Sequence, residues 1–399
     1  MMSSMVTYHF ADMVLDPDRY ELRRVGELVL MEPQVFDVLT YLVRHRDRVV
    51  TKEELLDNVW GTRFVTESAL TTRIKEVRRA VGDDGRRQAI VRTAHGRGYR
   101  FVAEVTESDD RPPTVPSVAA HRQQIHFCTA DDGVTIAYAT HGSGPPIVKV
   151  ANWMTHLDHD WESPVWRHWL DELGARHEVV RYDERGCGLS DRDVADLSLA
   201  AWVRDLEAVV TDRGIERFPL LGISQGAAVA IAYAVAHPEK VTHLVLFGSY
   251  GRGLLAPGHT ENQESQARTL IDLARIGWGR RSPAFRQVFA YAFMPEGTQE
   301  QWLAFDDLQR TTTSPANAVR FLRAFFELDV QDLATQVRVP TIVLHCRGDQ
   351  VWPFELGRQL AARIPGSRFV PLESRNHLLL EHEPAWRTFC EEVEAFIAT

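Results

Sequence analysis

The sequence predicts two folded modules of different class, an α+β module followed by a larger α/β module. Three observations predict this division. Short strand-like runs and three amphipathic helical segments fill residues 1–104. Residues 105–123 gather prolines and lose hydrophobic periodicity, which is typical of a linker. From residue 124 to 399, apolar runs alternate with helical stretches, which indicates a mostly parallel sheet flanked by helices.

Length and composition agree with this organisation. The chain has 399 residues, 44% of them hydrophobic and 25% charged, as in globular proteins of two or three domains. Because no run is long and apolar enough for a membrane helix or a signal peptide, we expect a cytoplasmic protein without membrane contact. The four cysteines are scattered, so free thiols are expected. No metal or cofactor is predicted.

Charge is distributed unevenly along the chain. Residues 1–103 hold 17 basic and 15 acidic side chains, so the overall charge of −10 comes from the rest of the chain. Within residues 66–100, nine side chains are basic and four are acidic. Only the first module therefore suits a polyanionic partner.

Three helices are predicted in the first module. Pro33 begins the first helix, and Thr51 with Glu54 forms a capping box at the start of the second. The third helix begins with Thr66 as its cap and ends at Gly82. Its predicted buried stripe consists of Leu70, Ile74, Val77 and Val81.

The outer face of the third helix is polar and basic. It carries Thr71, Thr72, Arg73, Lys75, Glu76 and Arg79. The strands "AIVRT" and "YRFVA" then flank the turn "HGRG", which presents Arg97 at its tip. A basic helix and a basic hairpin suit the major groove and neighbouring phosphates of duplex DNA. Taken alone, the helix pattern fits a solvated charged surface equally well.

The stretches "TKEELLDNVW", "TRIKEVRRAV" and "VRTAHGRGYRF" resemble the OmpR/PhoB-type winged-helix DNA-binding domain, over residues 6 to about 104. The resemblance implies that Thr66–Val81 is the recognition helix. It implies DNA contacts from Thr72, Arg73, Lys75 and Arg79 on this helix, and from Arg97 and Arg100 on the wing. No receiver domain is found, so control by phosphorylation is not implied.

The second module contains seven predicted strands. They are "VTIAYAT", "PIVKVA", "EVVRY", "FPLLGI", "VTHLVLF", "TIVLHC" and "RFVPL". Ser224 follows "FPLLGI" directly, between Gly222 and Gly226 and before an alanine-rich helix. Two glycines permit a tight strand-to-helix turn that exposes the serine hydroxyl. The pattern G-x-S-x-G alone also occurs by chance.

Two further residues follow strands of the same predicted sheet. Asp349 comes after "TIVLHC", and His377 lies in the loop after "RFVPL". A serine hydroxyl becomes a good nucleophile when a histidine takes its proton, and a carboxylate fixes the tautomer of that histidine. The chain order of serine, aspartate and histidine is that of an α/β-hydrolase triad.

Residues 124–397 resemble the α/β-hydrolase fold, a likeness that "YDERGCGLSD" and "AWVRDLEAVV" strengthen. The resemblance implies that Ser224 is the nucleophile, His377 the general base and Asp349 its orienter. His382 is the rival base, but it falls where the next helix should begin. His345 and Cys346 lie inside a strand and are interpreted as core residues.

The oxyanion hole requires two backbone N–H groups near the reacting carbonyl. Gln225 supplies one by its position after the nucleophile. The second is expected from Trp153, where Ala151 and Asn152 occupy positions at which such hydrolases commonly have His-Gly.

About 85 residues separate two of the predicted strands, and they are predicted to form a helical lid at about 250–336. Their aromatic residues would hold the lid to the body and line an apolar pocket. The sequence thus favours a transcriptional regulator that senses, and either hydrolyses or once hydrolysed, a small apolar ester, lactone or amide.

Two alternatives stay open. The first module only docks or localises a serine hydrolase, or the second module is a receptor with a catalytically silent triad. The predicted partners are duplex DNA, a small-molecule ligand or substrate, and a second copy of the chain, since regulators that read paired half-sites commonly form homodimers.

Overall fold

The computed structural model describes residues 7–17, 21–24, 27–29, 31, 33–60, 67–94, 96–108, 123–153, 155–278, 280 and 284–399. The chain folds into two compact units, residues 1–118 and 119–399. The predicted helix cap Thr66 and residues 109–122 of the predicted linker lie outside the described residues.

The first unit contains a five-stranded antiparallel sheet. Its strands are β1 (Thr7–Phe10), β2 (Met13–Asp16), β3 (Glu21–Arg24), β4 (Glu27–Leu28) and β8 (Thr106–Ser108), in the order β4-β3-β2-β1-β8. Strand β8 corrects the predicted linker at 105–123, because Glu107 pairs with Tyr8 of β1. Three residues are too few to show a strand periodicity in the sequence.

Three helices and a second small sheet complete this unit. They are α1 (Pro33–Arg44), α2 (Lys52–Trp60) and α3 (Glu67–Ala80), with strands β5 (Val50–Thr51), β6 (Val91–Ala94) and β7 (Gly98–Phe101) in the order β5-β7-β6. The backbone N–H of Glu54 donates to the Thr51 hydroxyl over 3.1 Å, which is one half of the predicted capping box, while the Glu54 carboxylate accepts from Tyr41 and Arg48.

The core of the first unit lies between its helices and sheets. The predicted stripe of α3 is buried throughout: Leu70, Ile74, Val77 and Val81. The rings of Phe10 and Phe101 meet edge to face, with centroids 5.0 Å apart, and connect the two sheets. The opposite face of α3 is therefore the one that solvent reaches.

An eight-stranded sheet forms the centre of the second unit. Its strands are β9 (Gln124–Thr129), β10 (Thr135–Gly142), β11 (Pro146–Lys149), β12 (Glu178–Tyr182), β13 (Phe218–Ile223), β14 (Val241–Phe247), β15 (Thr341–Cys346) and β16 (Arg368–Leu372). They lie in the order β16-β15-β14-β13-β11-β12-β10-β9. The pairs among β11 to β16 are parallel, whereas β10 is antiparallel to both β12 and β9.

All seven runs predicted for this module form strands, and β9 is an addition. It is an edge strand with mixed polar and apolar residues, and its Phe127 is 58% exposed. In contrast, every residue of β13 and β15 is buried, because helices cover both faces of a parallel sheet. The sequence signal is strong for such central strands and weak for this edge.

Eleven helices are described in the second unit. They are α4 (Leu157–Glu162), α5 (Arg167–Gly174), α6 (Leu199–Arg213), α7 (Gly226–Ala236), α8 (Glu261–Gly277), α9 (Ala284–Phe293), α10 (Gln299–Thr312), α11 (Pro315–Glu327), α12 (Gln331–Ala334), α13 (Phe354–Arg363) and α14 (Pro384–Ile397). Helices α8 to α12 fall within residues 250–336, between β14 and β15. Among the described residues, no helix has the length and apolar character needed to cross a membrane.

Candidate functional site

Ser224 occupies a sharp turn between β13 and α7. Its φ is 55°, in the left-handed region that residues other than glycine rarely adopt. Its backbone N–H donates to the carbonyl of Phe247 at the end of β14, over 2.9 Å. The turn therefore places the serine side chain at the carboxyl edge of the parallel sheet, on a strained backbone.

Two glycines make this turn sterically feasible. A Cβ on Gly222 would lie 2.8 Å from Cα of Ala227 and 2.9 Å from Cβ of Ala230. A Cβ on Gly226 would lie 2.7 Å from the carbonyl oxygen of Ala151. Side chains at both positions would collide with neighbouring backbone or helix atoms, so the close approach requires glycine.

Asp349 and His377 form a buried hydrogen-bonded pair. His377 Nδ1 lies 2.7 Å from Asp349 Oδ2, and both side chains are fully buried. The other oxygen, Oδ1, accepts the backbone N–H groups of Val351 and Trp352 over 2.8 and 3.0 Å. Burial opposes ionisation of Asp349, but its two histidine neighbours hold the pKa of the carboxyl below its usual range.

Ser224 and His377 contact two consecutive residues at the end of β14. The Ser224 N–H is hydrogen-bonded to the Phe247 carbonyl, and a Cβ on Gly248 would lie 2.9 Å from Cε1 of His377. His377 Nε2 is buried and has no hydrogen-bond partner among the described residues. The three predicted triad residues thus share one edge of the sheet, with the Asp–His bond formed and the Ser–His bond not formed.

The other candidate histidines differ in position. His382 is exposed, one residue before the Glu383 cap of α14. His345 on β15 is fully buried, as predicted, yet its Nε2 lies 3.4 Å from Asp349 Oδ2. The contact between His345 and Asp349 was missed by the sequence interpretation, which treated His345 as packing only.

Gln225 and Trp153 both line the same pocket as Ser224. Their backbone N–H groups donate no hydrogen bond to any other described residue. Asn152 packs against the elbow, since its Cβ lies 3.5 Å from the Cβ position of Gly226. The two predicted oxyanion donors are therefore unengaged and close to the nucleophile turn.

A buried lysine holds the loop before Trp153. Lys149 Nζ donates to Asn152 Oδ1 over 2.5 Å and lies 5.0 Å from the centroid of the Trp166 ring. Burial lowers the pKa of the Lys149 ammonium. The hydrogen bond gives Asn152 a side-chain function in this loop that the sequence interpretation did not include.

The pocket beside Ser224 is apolar and has a volume of about 200 Å³. No Asp, Glu, Lys, Arg or His lines it among the described residues. Its aromatic lining comes from Trp153, Tyr250, Phe289, Phe293, Phe325, Phe326 and Trp352. Phe289 and Phe293 belong to α9, and Phe325 and Phe326 belong to α11, so helices between β14 and β15 form much of the wall.

Helix α9 also contacts the loop that carries His377. The carbonyl of Phe293 accepts the backbone N–H of His377 over 2.8 Å and that of Leu378 over 3.2 Å. The Phe293 ring meets the imidazole edge to face, with centroids 5.1 Å apart. The residue that ends α9 therefore lines the pocket and binds the histidine loop at the same time.

In the first unit, the outer face of α3 carries the predicted DNA contacts. Thr72, Lys75 and Arg79 are exposed. Arg73 is half-buried and forms an ion pair with Glu76, Nη1 to Oε2, over 2.6 Å. Arg73 must exchange this partner to reach a phosphate or base.

The β6–β7 hairpin adds further basic residues. Arg97 and Arg100 are exposed, as predicted, and exposed Arg92 pairs with Arg100 across the hairpin. Arg92 was missed, although pairing the strands across the "HGRG" turn would have found it. Arg78 is directed elsewhere, because its guanidinium donates to the Val91 carbonyl over 2.9 Å and ties α3 to the hairpin.

Two family models match the chain. Residues 26–101 match the model described as transcriptional regulatory protein, C terminal. Residues 159–384, more than half of the chain, match the model described as alpha/beta hydrolase fold.

Curated relatives match part of the chain. The putative carbamate hydrolase RutD of Azorhizobium caulinodans is 26% identical over 243 residues, which cover 60% of this chain and 87% of that protein. The 2-hydroxymuconate semialdehyde hydrolase of Pseudomonas sp. strain CF600 is 28% identical over 230 residues, covering 55% and 72%.

Solved structures of hydrolases share the fold. Esterase RhEst1 from Rhodococcus sp. ECU1013 has a TM-score of 0.58 and 26% identity, covering 69% of this chain and 98% of its own. A bromoperoxidase from Bacillus anthracis has a TM-score of 0.60 and 20% identity, covering 69% and 100%, a likeness of fold alone. From the parallel sheet, the serine turn and the two family matches, the chain belongs to the α/β-hydrolase-fold family and carries an OmpR/PhoB-type DNA-binding domain over residues 26–101.

Proposed function

We propose that this protein is a transcriptional regulator whose hydrolase domain binds and hydrolyses a small apolar ester, lactone or amide. The observation that carries the proposal is the buried Asp349–His377 hydrogen bond of 2.7 Å beside the left-handed turn of Ser224. A serine nucleophile requires an imidazole base that is oriented by a buried carboxylate, and both oxygens of Asp349 accept hydrogen bonds.

The positions of these groups support the following reaction. Ser224 Oγ attacks the substrate carbonyl carbon while His377 Nε2 accepts the hydroxyl proton, and Asp349 stabilises the resulting imidazolium. The N–H groups of Gln225 and Trp153 donate to the oxyanion. Collapse breaks the bond to the alcohol or amine, which leaves with the proton from His377. Water then attacks the acyl-enzyme by the same steps, which releases the acid and restores Ser224.

The pocket supports an uncharged, apolar class of substrate. Without charged side chains in the described lining, a carboxylate or ammonium group would lose its hydration without a partner. A dry cavity of about 150 Å³ is known to hold one benzene molecule. A pocket of about 200 Å³ therefore fits a compact, uncharged acyl group.

The proposed partner of the first unit is duplex DNA. The exposed residues of α3 suit the major groove, and Arg92, Arg97 and Arg100 suit neighbouring phosphates. The family match over residues 26–101 supports DNA binding. We further propose a homodimer acting in the cytoplasm, with a winged-helix domain at 1–104 to which β8 adds an edge strand, a linker that starts after β8, and a hydrolase domain at 124–399.

A second function, a receptor with a silent triad, is favoured by one observation. His377 Nε2 has no hydrogen-bond partner among the described residues, so Ser224 is not activated in this conformation. The third alternative, a hydrolase tethered by its first unit, differs from both in lacking a regulated operator.

Hydrolysis of p-nitrophenyl acetate and labelling by a fluorophosphonate probe test the catalytic part. We expect Ser224→Ala to abolish both, while Ser265→Ala, which changes an exposed serine of α8, leaves both unchanged. If the parent protein is inert and unlabelled, the receptor function replaces the enzyme. If Ser224→Ala hydrolyses as fast as the parent, the nucleophile assignment is wrong.

Reciprocal binding tests the regulatory part. Genomic mapping of bound DNA would identify the operator and, from neighbouring genes, a ligand. We expect this ligand and the operator to change each other's affinity for Ser224→Ala by the same factor, with a coupling of about 1–3 kcal/mol. Identical ligand affinities with and without operator would reject the regulator and favour a hydrolase that its first unit only tethers.

A further inference from the structure

Asp349 contacts a second imidazole besides that of His377. We propose that His345 is a positioning residue, which holds the Asp349 carboxylate in the orientation that His377 needs. The inference rests on the proposed hydrolase function and adds a fourth side chain to the site. It concerns a residue whose place inside β15 predicts only packing.

The hydrogen bonds of His345 define its tautomer. Its Nε2 lies 2.8 Å from the carbonyl oxygen of Trp352 and 3.4 Å from Asp349 Oδ2. Both of these oxygens only accept, so Nε2 carries the proton and is shared between them. His345 Nδ1 is buried and has no hydrogen-bond partner among the described residues.

The surroundings of His345 are shaped to admit the ring. A Cβ on Gly357 of α13 would lie only 2.1 Å from His345 Nδ1. The ring also meets Phe354 edge to face, with centroids 6.1 Å apart. Without His345, the carbonyl of Trp352 would lose this buried donor. The position therefore needs a donor of this shape, whereas packing alone would require only an apolar ring.

His345 completes the set of donors around Asp349. Oδ1 accepts the N–H groups of Val351 and Trp352, and Oδ2 accepts the N–H of His377 and lies 3.4 Å from His345 Nε2. A carboxylate with donors on both oxygens cannot rotate without breaking several hydrogen bonds. The fixed carboxylate in turn fixes the plane of the His377 ring.

The electrostatics support the same function. Burial opposes ionisation of Asp349, but the charge of His377 and hydrogen bonds from His345 and His377 hold the pKa of the carboxyl down. The titratable side chains facing this carboxyl are His345 and the Cys346 thiol on β15, and His377 on the loop after β16. Among the described side chains, His345 is thus a second imidazole beside the Asp349–His377 pair.

The test compares His345→Phe, which fills the space without a donor, with His345→Gln, which keeps a donor. We expect His345→Phe to lower kcat for p-nitrophenyl acetate by about 10- to 100-fold with little change in KM, because the base is misplaced. The acidic limb of its pH–rate profile should move to higher pH, since a carboxylate with fewer donors holds a proton on His377 more strongly.

His345→Gln should recover most of the rate and the original limb. The matched control is Val343→Ala, a buried change on the same strand that leaves Asp349 untouched. If His345→Phe keeps the parent's kcat and limb, or if Gln is no better than Phe, the positioning function is wrong. If His345→Phe does not fold, Gly357→Ala replaces it, because the added methyl displaces the same ring.

A second readout separates this inference from the proposed function. The proton between His377 Nδ1 and Asp349 should give a low-field NMR resonance that disappears in His377→Gln, whether or not the protein hydrolyses esters. We expect His345→Phe to shift this resonance and Val343→Ala to leave it in place. An inert parent with a shifted resonance would reject the hydrolase but keep His345 as a positioning residue. An unshifted resonance would reject the positioning function.

Discussion

The two units place their important charges in opposite environments. In the first unit, Lys75, Arg79 and Arg97 are exposed on α3 and the hairpin. In the second unit, Lys149 and Asp349 are buried and held by hydrogen bonds. Exposed charges keep their hydration and act at long range without fixing a geometry, whereas buried charges persist only in one hydrogen-bonded arrangement. Exposed charges therefore suit the attraction of a polyanion, and buried charges suit the precise orientation of groups in a reaction.

The largest effect is expected at a buried charge. Asp349→Asn should lower kcat for ester hydrolysis on the order of 10⁴-fold, because an amide stabilises the wrong histidine tautomer. DNA affinity should stay unchanged. Kinetics with p-nitrophenyl acetate check this, with Asp332→Asn, an exposed aspartate of α12, as the control. A loss of kcat of less than tenfold would contradict the catalytic importance of the buried Asp349 charge.

An exposed charge should have a smaller effect on a different activity. Arg79→Ala is expected to weaken binding to the native operator by about 1–3 kcal/mol if its guanidinium reads a base edge. Ester hydrolysis should not change. Fluorescence anisotropy measures the affinity, and Arg268→Ala, which removes an exposed arginine of α8, is the control. Equal binding by Arg79→Ala and the parent would remove this residue from the DNA-reading face.

Acid should lower the stability of the second unit, because individual buried histidines such as His168 resist protonation in the folded state. His168 lies 3.0 Å from the carbonyl of Leu379, and burial lowers the pKa of His168 to about 4. The unfolded chain binds this proton near pH 6.5 and the folded unit does not, so stability is lost as pH falls from about 6.5 to about 4. Relative to His168→Gln, the parent should lose about 2 kcal/mol between pH 7 and pH 5.

Denaturant unfolding at both pH values measures this difference. The control is Ser265→Ala, an exposed change on α8 that removes no titratable group and should change stability equally at pH 7 and pH 5. The variant comparison is needed because the buried carboxyls of Asp160 and Asp205 have raised pKa values, an effect of the opposite sign common to parent and variant. A constant difference between parent and His168→Gln would contradict the prediction.

The smallest effect is expected at Lys75, as a phosphate contact. Lys75→Ala should weaken binding to all DNA sequences alike and reduce the slope of log affinity against log salt by about one. Salt titrations with operator and unrelated DNA measure both quantities. A slope equal to that of the parent would indicate that Lys75 does not reach a phosphate.

Structural features that depend on residues consecutive in the chain could be predicted from the sequence. The β13–Ser224–α7 turn was predictable because the strand, both glycines and the helix are consecutive, and the central strands were predictable because burial on both faces makes them continuously apolar. Fold class and the two family resemblances were confirmed. The functions of Ser224, His377 and Asp349 stay predictions.

The remainder depends on side-chain and loop contacts that the sequence pattern does not specify, some distant and some local in the chain. The bond between Phe293 and His377 joins residues far apart in sequence, and nothing in either segment specifies the other. The hydrogen bond between Lys149 and Asn152 was not predicted, because nothing in the run "PIVKVA" indicates which group its lysine would meet. His345 was assigned to the core from its strand, because the direction of the loop that returns Asp349 to it has no sequence signature.

The hydrogen bonds to the Phe293 carbonyl allow the opening of the pocket wall to be followed by amide hydrogen exchange. The amide protons of His377 and Leu378 are both donated to this carbonyl, so they exchange with solvent only when the end of α9 leaves the histidine loop. Deuterium uptake at these two amides therefore reports how often the pocket wall detaches from the proposed base. A ligand that fills the pocket and holds α9 in place would slow both amides together, which gives a direct assay of occupancy without turnover or DNA.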